Sequence, residues 1–185
     1  QLMRHHSTKA KWSTSAANEF GRLAQGVGNR VKGTNTIRFI KFHEKPKNKM
    51  ATYARFVCEH RPQKIEQERT RITVGGNLIK YPGNKSTPTA DLITVKVLTN
   101  DTLSTPNARE VYADVKKFYL NTPMPNPEFM RIHITDIPQE IIEEYNLMDY
   151  VHSDGFVYIE INKGMYGLPQ AGFIANAHLE KILQP

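Results

Sequence analysis

The chain holds one cysteine, Cys58, among its 185 residues. A single thiol excludes a disulfide framework and any zinc site built from several cysteines, and it fits a reducing compartment. No run approaches about 18 consecutive apolar residues, so no transmembrane helix is expected. Residues 1–11 are polar and basic and lack the apolar stretch of a secretory signal. The chain does not begin with Met, which suggests a fragment or a processed product. Internal repeats and long low-complexity tracts are also missing. With 39% hydrophobic residues and a mean hydropathy of −0.53, the core is modest, enough for one domain or two small ones.

Charge is plentiful but unevenly placed. Residues 1–100 carry 19 Lys and Arg against 6 Asp and Glu, whereas residues 101–185 carry 6 against 12. The net is +13 in the first part and −6 in the second, which gives the overall +7. Such asymmetry points to a basic face for a polyanion beside an acidic patch. An acidic patch there repels phosphate unless divalent cations neutralise it, which is the electrostatic logic of a polymerase or nuclease. A solvated basic surface beside an acidic helix accounts for the same numbers.

Hydrophobic periodicity predicts a helix over Ser13–Gln25, ended by Gly26 and Gly28. Thr36–His43 and Thr52–Glu59 read as strands of one hairpin around the basic loop Glu44–Ala51, and Arg69–Val74 as a third strand. Ser86 or Thr87 is a candidate N-cap for a helix with Pro88 in its first turn and Leu92, Ile93, Val95, Val97 and Leu98 on an apolar side. Further on come a short strand Glu110–Val115, a strand Phe129–Ile134 and an acidic helix Pro138–Leu147. The strand Phe156–Ile161, a glycine-punctuated loop Gly164–Gly172 and a final helix Ala171–Leu183 close the chain. Strands and helices intersperse without a βαβ repeat, so the fold class is α+β.

Three segments could carry chemistry. V-Y-A-D-V sets a lone carboxylate, Asp114, in an apolar strand, where it must be paired, hydrogen-bonded, protonated or metal-bound. It could equally cap the turn that follows. Arg69 and Arg71 lie two apart on one strand face, and guanidinium forks match the oxygens of a triphosphate. Charges at that position also protect an edge strand. K-G-M-Y-G-L-P-Q-A-G (Lys163–Gly172) brings small residues to a helix N-terminus, where backbone can approach a nucleotide or template closely. Its spacing is not that of a Walker loop, and an ordinary strand-to-helix connection uses such glycines too. The seven histidines show no metal-ligand spacing, and Cys58 reads as a small core residue.

Taken in order, these segments resemble the reverse transcriptase of copia-type (pseudovirus) long-terminal-repeat retrotransposons. A-D-V-K-K-F-Y-L-N-T-P looks like that family's first catalytic motif, D-V-K-x-A-F-L-N-G, and I-N-K-G-M-Y-G-L-P-Q-A-G looks like its K-x-L-Y-G-L-K-Q-x segment. A Trp12, Glu19, Leu23 pattern is similar to the family's domain opening. The resemblance covers nearly the whole chain. It differs in Phe118, where the family has a small residue, in Tyr119, where Phe is common, and in a longer fingers segment containing V-G-G-N.

The resemblance implies the fingers and incomplete palm of a right-hand polymerase: a lead-in over residues 1–35, a fingers-like region over 36–110 and a partial palm over 111–185. Asp114 would be the first of three metal-binding aspartates, with the Val115 carbonyl as a further ligand for Mg²⁺ or Mn²⁺. Arg69 and Arg71 would hold the triphosphate of a dNTP, Tyr119 would pack under its sugar and exclude a ribose 2′-OH, and Gln170 would line the nucleotide pocket. An RNA template and DNA primer duplex would be the macromolecular partner. A cytoplasmic, intracellular setting or a virus-like particle would follow, without a membrane. No Asp-Asp pair occurs in the sequence, so the family's second acidic motif is expected beyond Pro185, and this chain alone is expected to be inactive. The alternative is an inert nucleic-acid-binding relic that uses only its basic part.

Overall fold

Trp12, Ala16, Phe20 and Leu23 recur at helical spacing and all are buried, so Lys9–Leu23 folds as a helix, α1, with one apolar face. The structure is a computed structural model that describes residues 8–87 and 89–184. After α1 the chain makes a small ribbon from β1 (Gly26–Val27) and β2 (Val31–Lys32). Then follow β3 (Ile37–Ile40), β4 (Ala51–His60), β5 (Glu68–Val74), α2 (Leu92–Ser104) and α3 (Phe118–Asn121). The last elements are β6 (Pro123–His133), α4 (Gln139–Glu144), β7 (Phe156–Lys163) and α5 (Ala171–Leu183).

Five strands form one sheet in the order β3-β7-β6-β4-β5. The β4–β6 pair is parallel and the others antiparallel. This mixed sheet with interspersed helices is the α+β arrangement that the sequence predicts. The interior strand β7 buries Val157, Tyr158, Ile159 and Ile161, as a strand covered on both faces must. The Phe20 ring of α1 lies 6.5 Å from that of Phe39 and 6.0 Å from that of Phe56, which fixes the helix to one face of the sheet. The Ser15 hydroxyl of α1 accepts from the Thr70 amide of β5 at 2.7 Å, tying the same helix to the edge strand. Ile40, Phe129 and Tyr158 form a smaller apolar cluster of their own.

Several expectations need correction. Thr36–His43 and Thr52–Glu59 do not form a hairpin: β3 pairs with β7, while β4 pairs with β5 and β6. Strand β3 also stops at Ile40, and Phe42–Glu44 turns as a 3-10 helix. The N-cap of α2 is Asp91, whose carboxylate accepts from the Thr94 amide at 2.7 Å, rather than Ser86 or Thr87; Pro88 lies outside the described residues. No α2 residue is buried, because its apolar residues are spread around the helix rather than gathered in a stripe. Glu110–Val115 is not a strand but exposed coil, with Val111 and Tyr112 open to solvent. An isolated segment with no strand to pair with has no ladder to hold it extended.

The acidic helix ends at Glu144, three residues earlier than predicted. There the Tyr145 hydroxyl donates to the Gly26 carbonyl and accepts from the Gln25 amide at 3.2 Å, which pulls the chain onto the β1–β2 ribbon. Asn146 then takes a left-handed conformation with φ 50°, which breaks the helix. Among the described residues no helix is long and apolar enough to cross a membrane.

Candidate functional site

The β5 edge strand, α1 and the ribbon surround an open cleft of about 480 Å³. Arg22 reaches it from α1, Arg30 and Lys32 from the ribbon, and Arg61 from the β4–β5 loop. Arg69 and Arg71 come from β5, and Lys116 and Lys117 from the segment just after Asp114. Tyr166 of the Y-G-L-P-Q segment closes one side, and Glu66 is the only acidic residue on the wall among the described residues. Burial holds the Lys117 ammonium below its ordinary pKa. The charges of Arg22, Lys116 and Lys32 lower it further, against an opposing pull from Glu19. The smaller share due to neighbouring cations reflects a positive field, which an anion would relieve.

Several of these cations are fixed by carboxylates. Glu19, on the buried side of α1 and 1% exposed, pairs with Arg22 and with Arg69 Nη2 at 3.2 Å. Arg30 is turned toward α4, where both its terminal nitrogens donate to the Glu140 carboxylate at 2.6 Å. That fork holds Glu140 below its usual pKa. Arg71 has a looser partner, Glu59, at 3.8 Å. Lys32, Lys116 and Lys117 have no carboxylate partner among the described residues.

Glycines determine how Tyr166 reaches this place. Gly167 has φ +95°, a conformation that L side chains rarely adopt, and any side chain there would strike the Val74 carbonyl at the end of β5. The Val74 amide donates to the Tyr166 carbonyl at 2.8 Å. Any side chain at Gly76 would strike the Gly167 carbonyl. The V-G-G-N and Y-G-L-P-Q segments are thus packed backbone to backbone, and this contact docks the loop before α5 onto the strand that carries Arg69 and Arg71. Gly164 is needed for the same reason, since a Cβ there would lie 2.7 Å from the Tyr119 carbonyl oxygen.

The sequence-predicted site residues therefore divide. Arg69 and Arg71 share the cleft with Tyr166, and Tyr119 meets Tyr166 edge to face with ring centroids 5.7 Å apart. Asp114 and Val115 are exposed on the coil just before Lys116 and do not line the cleft. Asp114 makes no ion pair or side-chain hydrogen bond among the described residues. Gln170 faces a different cavity, of about 240 Å³, lined also by Lys49, Lys80 and Glu128. There Gln170 Nε2 donates to Glu128 Oε1 at 3.3 Å, and Gln170 Oε1 is buried without a partner.

Among the described residues no group of three His, Cys, Asp or Glu side chains is placed to hold a metal ion. A lone exposed carboxylate holds Mg²⁺ weakly, because the ion keeps its waters unless several oxygens are pre-placed. The surroundings of Asp114 thus do not by themselves fit the metal centre that the resemblance implies. Composition had flagged Arg22, Lys32, Arg61, Lys116 and Lys117 only as part of a charge total; the signal for their convergence is tertiary. No family model, curated protein or solved structure matches this chain.

Proposed function

We propose that this chain is a fingers and partial-palm region of a copia-type reverse transcriptase, and that its basic cleft takes the phosphates of a nucleotide and of a primer–template duplex. The observation that carries this is the meeting of three distant segments at one cleft: the Arg69–Arg71 strand, the lysines that follow Asp114, and Tyr166 of Y-G-L-P-Q. Guanidinium forks on a rigid strand suit the crowded oxygens of a triphosphate, and the lysines suit phosphates as point charges. Tyr119, edge to face with Tyr166, offers a ring for a sugar or base. In the full activity Asp114 would act as a metal carboxylate, which requires ligands additional to those among the described residues.

A second reading, an inert nucleic-acid-binding module, is favoured by one observation, the isolation of Asp114 on exposed coil. The two share the cleft and differ in nucleotide preference. Fluorescence anisotropy with a labelled dNTP and with a labelled primer–template duplex separates them. Replacing Arg69 and Arg71 together by Ala should weaken nucleotide binding more than duplex binding. Equal weakening of both would favour the inert module, and no change in either would remove the cleft from the function.

A further inference from the structure

Glu66 sits on the short loop between β4 and β5, held by a single carboxylate's worth of contacts to three arginines. Its Oε2 lies 3.0 Å from Arg69 Nη1 and 3.5 Å from Arg61 Nη2, and its Oε1 lies 3.4 Å from Arg22 Nη2. These guanidiniums come from β5, from the loop and from α1, so they converge in space rather than along the chain. Two of them are held from behind: Glu19 fixes both Arg22 and Arg69 through the helix. Three guanidinium charges thus converge on one carboxylate charge. Arg61 Nε is buried and has no hydrogen-bond partner. Glu66 itself is 34% exposed, so water already reaches it and it can leave without a new desolvation cost.

We propose that Glu66 is an internal stand-in for a phosphate group, occupying the Arg22–Arg61–Arg69 position of the cleft until a polyphosphate ligand displaces it. This rests on the cleft being a nucleotide-phosphate site. A phosphate offers three oxygens and about two negative charges against the carboxylate's two oxygens and one, so the same three guanidiniums are better matched by the ligand. Glu66 then rotates into solvent while Arg22 and Arg69 stay in place on Glu19. In the absence of ligand, Glu66 supplies the carboxylate for Arg61 and a second one for Arg22 and Arg69. In its presence, Glu66 is a competitor that lowers affinity and sharpens selection for the more highly charged ligand.

The test is calorimetric titration of the whole chain with inorganic tripolyphosphate. Glu66→Gln, which keeps the volume and removes the charge, should bind about 5-fold tighter than the unmodified chain. Glu68→Gln removes the same charge two residues away, where the carboxylate faces Lys11 and His60 instead, and should change affinity less than about 2-fold. Arg69→Ala should weaken binding in either background. Equal effects of Glu66→Gln and Glu68→Gln, or weaker binding by Glu66→Gln, would overturn the displacement while leaving the cleft assignment intact. Tripolyphosphate binding that ignores Arg69→Ala would instead overturn the cleft assignment.

Discussion

Replacing Glu19 by Ala should be among the costliest single changes to this protein. Its carboxylate is 1% exposed and neutralises Arg22 and Arg69, whose side chains are only 17% and 15% exposed. Removing one partner of a buried ion pair costs about 3–5 kcal/mol, because the charge left behind is neither solvated nor paired. Both arginines retain Glu66 as a second acceptor, so the lower end applies, about 3 kcal/mol. For a domain of this size each kcal/mol lowers Tm by about 2–4 °C, so a fall of about 6–12 °C is expected. Glu19→Gln keeps hydrogen-bond capacity and loses only the charge, and should cost less, about 1–2 kcal/mol. Trp12, the sole tryptophan, is buried on the same helix and reports urea unfolding by fluorescence. In the Glu19→Ala background, Arg69→Ala should be less damaging than alone, since the ion pair it breaks with Glu19 is already gone. A Glu19→Ala chain within about 0.5 kcal/mol of the parent at unchanged urea slope would refute this view of how the arginines are held.

Two further outcomes follow from the same geometry. The Arg30 fork lowers the pKa of Glu140, so the pair stabilises the fold above the ordinary glutamate value of about 4.3, and that contribution is lost as pH falls through the lowered folded-state value. Glu140→Gln should therefore be less stable than the parent at pH near 7, with the two urea midpoints converging as pH approaches about 3; a constant gap would show that the ion pair is not the cause. Primer extension on an RNA template with Mg²⁺ or Mn²⁺ should be undetectable for this chain, because Asp114 stands without the carboxylates that two-metal transfer needs. Extension that is lost on Asp114→Asn would show that a complete metal site assembles here.

Elements with a strong local pattern were legible in the sequence: α1, β5, β7 and the bounds of α5 follow from helical spacing, β-branched runs and glycine stops. Pairing was not. The hairpin expected between Thr36–His43 and Thr52–Glu59 fails because β3 finds its partner in β7, more than a hundred residues along the chain, and short-range signals say nothing of that choice. The strand expected at Glu110–Val115 had the right composition, yet β-propensity describes a fit to a pleated neighbour, and no strand among the described residues pairs with it. That Arg69 and Arg71 lie near one another was legible because two cations two residues apart on one strand is a local pattern. Glu19 and Glu66 were not, since each acts on arginines from several elements that only the fold brings together. The glycines of Y-G-L-P-Q read equally well as a nucleotide loop or a plain connection. The fold gives them a structural duty in the close approach of Gly167 to Val74 and Gly76.

The dependence of primer–template affinity on salt tests the cleft most directly. Each cation that neutralises a phosphate releases counterions and adds about −0.9 to the slope of log affinity against log salt for duplex DNA. Lys32, Lys116 and Lys117 are the cleft cations without a carboxylate partner among the described residues, so the slope should be about −2.7. Between about 50 and 200 mM salt the affinity should then fall about 40-fold, and replacing Lys116 and Lys117 together by Gln should bring the slope to about −0.9. A slope near zero, or one that the double Gln variant leaves unchanged, would mean that nucleic acid does not bind in this cleft.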